Sequence, residues 1–132
     1  MDLTSVELPG SRIMGIQVVE DEVRIRFEPA YLIKTMTGSE ERTKWRQNIE
    51  LVFENGALLE GGTLELPAGC LGGDVGENIY TYRDMIPVPL ESRGQAHCDL
   101  GVEGSALRIR VQGEGVRLVC EGMPKYIEHL RG

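Results

Sequence analysis

An all-β, antiparallel domain is what this sequence predicts, and three observations predict it. Apolar residues recur at every second position through most of the chain, which places them on one face of a sheet. Glycine or asparagine breaks the alternation about every eight to twelve residues, the spacing of short strands joined by turns. No repeat, low-complexity tract or change of composition divides the sequence, so residues 1–132 read as one domain. About eight or nine strands are expected, arranged as a β-sandwich or a small β-barrel, since either buries one face of each strand. The sandwich is preferred.

In chain order, Ile13 to Val19 forms the first clear strand, and Glu20-Asp21-Glu22 turns it into a second, where Val23, Ile25 and Phe27 alternate with Arg24, Arg26 and Glu28. Pro29 has no N–H to donate and interrupts the ladder before Tyr31, Leu32 and Ile33. The polar stretch Thr35 to Lys44 reads as an exposed loop with one helical turn over Ser39 to Thr43. Trp45, Gln47, Ile49, Leu51 and Phe53 then share a face opposite Arg46, Asn48, Glu50, Val52 and Glu54. Asn55-Gly56 suits a type I′ turn, which predicts a hairpin into Ala57 to Glu60. Gly61-Gly62 bends the return strand before Thr63 to Leu66.

Pro67 to Glu77 is the richest stretch in glycine and reads as a loop. Ile79 to Arg83 resumes β character, and Ile86 to Leu90 is held extended by Pro87 and Pro89, which confines it to a sheet edge. A meander closes the domain: Ala96 to Val102, Leu107 to Val111 and Val116 to Cys120, with turns at Glu103 to Ser105 and Gln112 to Gly115. Met123, Ile127 and Leu130 are spaced by four and three, which predicts a short C-terminal helix with Pro124 in its first turn.

The formal charge is −7 with 41% hydrophobic and 27% charged residues. Such acidity works against binding to nucleic acid or to an anionic membrane, both of which call for clustered lysine and arginine. No apolar run is long enough to span a bilayer and the first residues carry no secretory signal, so a cytoplasmic protein is expected. Cys70, Cys98 and Cys120 form no paired motif and are expected as reduced thiols, Cys98 and Cys120 in the core.

Catalytic chemistry finds little to stand on. Neither His97 nor His129 sits in a metal motif, and two histidines fall short of the three protein ligands a catalytic zinc uses. A cupin-like jelly roll would offer two histidines one residue apart, where this chain has His97 alone. Gln95, His97 and Asp99 share a strand face but point in parallel rather than converging on a substrate. Gly69, Gly72, Gly73 and Gly76 lack the Gly-Lys-Ser/Thr ending and following helix of a phosphate loop. No Gly-x-Ser-x-Gly elbow is present. The sequence therefore assigns no catalytic residue, metal or cofactor.

Large amphipathic rings remain, and such rings dominate contacts when exposed. Trp45, Tyr80 and Tyr82 are the candidate ligand- or partner-binding residues, the two tyrosines sharing one strand face. The expected function is a non-catalytic domain acting through protein contacts, self-association included. The alternative is a carrier or enzyme holding a small apolar ligand inside a barrel near the tyrosine pair. A third reading is an acidic inhibitor that meets a basic partner electrostatically.

Overall fold

The computed structural model of the chain describes residues 3–36, 38 and 41–130. Its elements are ten strands: β1 (Leu3–Glu7), β2 (Arg12–Val19), β3 (Glu22–Thr35), β4 (Arg42–Phe53), β5 (Ala57–Glu60), β6 (Ala68–Glu77), β7 (Tyr80–Arg83), β8 (Met85–Val88), β9 (Glu91–Val102) and β10 (Ile109–Leu130). All pairings are antiparallel and join one sheet in the order β2-β6-β9-β10-β4-β3-β1-β8, with β5 on β10 and β7 on β6. β2 also pairs with β3, so the sheet curls round. The seam between β2 and β6 holds only Arg12↔Gly69 and Ile13↔Ala68, and the sheet is not a closed barrel.

The curl gathers the apolar faces into one core. Val23, Ile25 and Phe27 of β3 lie opposite Phe53, Leu51 and Ile49 of β4, and all six are fully buried. The alternation that identified these strands is the cause of that burial: apolar side chains leave water on one side, while Arg24, Arg26 and Glu50 stay on the other. Glu20 and Asp21 make the two-residue turn from β2 to β3, with Glu20 at a φ of 56°. The ladder between β3 and β4 skips at Glu28-Pro29, where Pro29 has no proton to offer. Among the described residues β8 pairs only with β1 and ends the strand path, in keeping with Pro87 inside it and Pro89 just beyond it.

Several expectations are corrected. The described residues form ten strands, not eight or nine, and Met123 to Leu130 is not a helix but continues β10 beside Arg42 to Arg46 of β4. A helix that short is marginal without tertiary support, whereas β4 offers a ready ladder. Gln112 to Gly115 is no turn either; β10 runs through it with a register shift at Gly113 to Gly115. Cys120 is exposed rather than core, because the apolar alternation of β10 outlasts the core beneath it.

Asn55-Gly56 does not make a hairpin. β5 pairs with Arg110 to Gln112 of β10, so it lies in line with β4 along the same neighbour, and Asn55-Gly56 is a jog between them. Asn55 alone has positive φ, at 46°, where a type I′ turn needs both central residues there. The jog is fixed by Glu54, whose N–H donates to the Gly115 carbonyl at 3.0 Å and whose carbonyl accepts from the Glu114 N–H at 2.7 Å.

The expected glycine loop is strand β6. Its glycines allow close approach of neighbouring chains: a Cβ on Gly73, at a φ of +146°, would strike the Asp99 carbonyl, and His97 lies over Gly76. β5 ends before Gly61-Gly62, and Thr63 to Leu66 is not strand. Of the helical turn expected over Ser39 to Thr43, Ser39 and Glu40 lie outside the described residues, and Arg42 and Thr43 belong to β4. No helix among the described residues is long and apolar enough to cross a membrane.

Candidate functional site

Most arginines around the body of the sheet are tied to carboxylates. Arg24 binds Glu22 at 2.6 Å and Arg26 binds Glu28 and Glu121 at 2.6 Å each. Arg83 meets Asp74 at 2.9 Å, and Arg117 meets Glu54 and Glu22 at 2.7 and 3.0 Å. Arg108 and Arg110 both hold Asp99. Hydrogen bonds from Arg24 and then Arg117 keep the Glu22 carboxyl below the usual carboxylate range, and Arg83 does the same for Asp74.

One end of the sheet departs from this pattern. On both flanks of β4 the ladder is bulged at the same level: Glu28-Pro29 on β3, and Gly122 to Pro124 on β10, where the Gln47 side-chain amide donates to the Gly122 carbonyl at 2.7 Å. Paired bulges increase local twist and bend a sheet. Beyond the bend, Arg46 lies directly opposite Tyr31 on β3 and Lys125 on β10. Lys44 follows two residues earlier on the same face, its Nζ 4.7 Å from the centroid of the Tyr31 ring. Among the described residues none of Lys44, Arg46 and Lys125 forms an ion pair; Glu128 faces Lys44 across the ladder without closing one.

These side chains line a cleft of about 690 Å³ with Pro9, Gly10, Tyr31, Tyr126 and Ile127. A second cleft of about 510 Å³ lies at the bend, between Glu28, Gln47, Asn48 and Met123, and shares Arg46 and Lys125 with the first. The two cations thus form a ridge between clefts. Beside them, β10 beyond Leu118 pairs only with β4 among the described residues, so its other edge is open. Met123, Tyr126 and Ile127 are exposed there, Met123 at 84%.

Of the residues singled out in the sequence, Trp45 belongs to this end and the tyrosines do not. Trp45 is half-buried, lies opposite Leu32 and Tyr126, and meets Tyr126 edge-on at 5.4 Å between centroids. Its Nε1–H donates to the Thr43 Oγ1 at 2.8 Å, and Lys34 Nζ stands 4.3 Å from its ring. It supports the ring of Tyr126 rather than lining the cleft itself. Tyr80 and Tyr82 lie on the β6–β7 hairpin, Tyr80 exposed at 59% and Tyr82 packed against the core. Burial, with the charge of Glu77, pushes the Tyr82 phenol up and keeps it neutral. Neither cleft is lined by Trp45, Tyr80 or Tyr82.

His97 is exposed on β9, and Asp99 is committed to Arg108 and Arg110, so the Gln95, His97, Asp99 row holds no imidazole poised by a free carboxylate. Among the described residues no group of three or more His, Cys, Asp or Glu is placed to hold a metal ion. The cation ridge was missed in the sequence although a signal for it existed. Arg42, Lys44 and Arg46 alternate on one strand face with no acid among them, and the chain's only lysines, Lys34, Lys44 and Lys125, all fold to this end. No protein-family model, curated protein or solved structure matches the chain.

Proposed function

We propose that the chain is a non-catalytic binding domain acting through protein contacts, and that its contact surface is the end of the sheet formed by β3, β4 and the C-terminal half of β10. The observation that carries this reading is the open β10 edge with Met123, Tyr126 and Ile127 exposed along it. An unpaired edge is a template for another chain and is usually blunted by proline, bulges or charge. Gly122, Pro124 and the bulge at Ile127 break this edge into short pieces, which opposes indiscriminate strand pairing and leaves side chains to select the partner. Cys70 and Cys98 are buried and unpaired and Cys120 is free, which fits a reducing, cytoplasmic setting.

The test is affinity capture from the chain's own host, comparing the natural protein with a Met123→Glu/Ile127→Glu variant and with Leu59→Glu, an exposed change on β5. A partner retained by the natural protein and by Leu59→Glu, but lost from the β10 variant, supports the proposal. Light scattering on the purified chain separates self-association from a foreign partner. A retained apolar small molecule, indifferent to the β10 changes, would instead favour the ligand-carrier reading.

A further inference from the structure

We propose that the cleft between Tyr31, Lys44, Arg46, Lys125 and Tyr126 recognises side-chain carboxylates, so that the protein segment docking at this end is acidic; this rests on reading the end as a protein-contact surface. Arg46 and Lys125 stand directly opposite each other on adjacent strands, an arrangement that destabilises a sheet. The chain has 21 acidic residues and uses them to satisfy Arg24, Arg26, Arg83, Arg108, Arg110 and Arg117 elsewhere. Here it leaves the opposed pair without one. Asp74 and Asp99 also face each other, on β6 and β9, but arginines neutralise them; a like-charge pair left without a counter-charge is where a binding function is expected.

The site also has the shape for the task. Arg46 can grip a carboxylate through two parallel N–H bonds, and Lys44, held over the Tyr31 ring, adds a charge whose position is already fixed. Tyr126, braced from below by Trp45, and Ile127 give the flanks an apolar surface for the aliphatic stems of neighbouring residues. The rest of the molecule is strongly acidic and repels such a segment, so the field directs it to this end. A polyphosphate backbone fits less well, because three cations beside apolar walls make no track for successive phosphates.

The experiment is fluorescence anisotropy on the full chain with a short labelled peptide alternating Glu and Val, set against its Gln and Val counterpart. The Glu peptide binds and the Gln peptide binds at least about tenfold more weakly, with the preference shrinking as salt rises. Arg46→Gln and Lys125→Gln each lose about fivefold, the upper range for an exposed charge pair. Arg93→Gln, an exposed arginine with no carboxylate partner elsewhere on the sheet, changes nothing. Equal binding of the two peptides, or equal loss in Arg93→Gln, overturns the assignment. So does tighter binding of inorganic phosphate or a single-stranded oligonucleotide that depends on the same two cations. Failure of the peptide while partner capture still needs Met123 and Ile127 overturns the carboxylate assignment alone. Capture indifferent to the β10 edge overturns the reading beneath it.

Discussion

Lys125→Glu is expected to stabilise the fold. In the natural chain, Arg46 and Lys125 face each other across β4 and β10 with no carboxylate between them, and Lys44 lies two residues away on the same face. Reversing the charge at 125 removes a like-charge pair and creates an opposite-charge one. Each change is worth about 0.2–1 kcal/mol across antiparallel strands, and exposure of both side chains favours the lower half of that range. The sum is about 0.5–1 kcal/mol, which for a domain of this size raises Tm by roughly 2–4 °C. Lys125→Gln, which removes repulsion without adding attraction, should give about half as much. Calorimetry and urea titration measure both. The gain should fade at about 1 M salt, where the Debye length is about 3 Å. An unchanged or lowered Tm, or a gain that survives high salt, would show that the opposed cations carry no electrostatic cost.

Three further outcomes follow from the packing and charge. Trp45→Ala should cost about 2–3 kcal/mol, below the range for a fully buried ring, since the indole is only partly buried while its contacts with Tyr126 and Lys34 are lost; urea denaturation measures it. Gly73→Ala should cost at least about 2 kcal/mol, because the new methyl would meet the Asp99 carbonyl from a backbone at positive φ, whereas Gly104→Ala, with open space around it, should cost about 1 kcal/mol from φ alone. Acid should weaken the fold through Glu22. Its pKa is lowered in the folded state, so its contribution is complete above the ordinary value of 4.5 and is lost as pH falls through the lowered one; Arg24→Gln should flatten Tm against pH in that window.

What could be read from the sequence is what period two governs. Val23 to Phe27, Ile49 to Phe53 and Ala96 to Leu100 bury their alternate residues because each lies wholly over the core. The pattern misled wherever the chain leaves the core or approaches itself closely. Met123, Ile127 and Leu130 mimic helical spacing because the bulges of β10 break its alternation, and only the presence of β4 decides for strand. Glycines in β6 signal a loop locally, but what requires them is the backbone of β9, a long-range neighbour. Asn55-Gly56 signals a hairpin locally, but the chain only jogs there, because the partner of β5 is β10, about fifty residues away. The candidate site was hidden for the same reason: Tyr31, Arg46 and Lys125 belong to three strands, and their opposition exists only in the register.

Amide hydrogen exchange on the chain with its host partner bound, and again after the partner is stripped away, tests the proposed contact surface most directly. Slower exchange on binding at Met123 to Leu130, with a smaller effect at Arg42 to Arg46, is the predicted result. Protection confined to the β6–β7 hairpin around Tyr80 and Tyr82, with β10 unchanged, would contradict it and place the contact surface at the tyrosine pair.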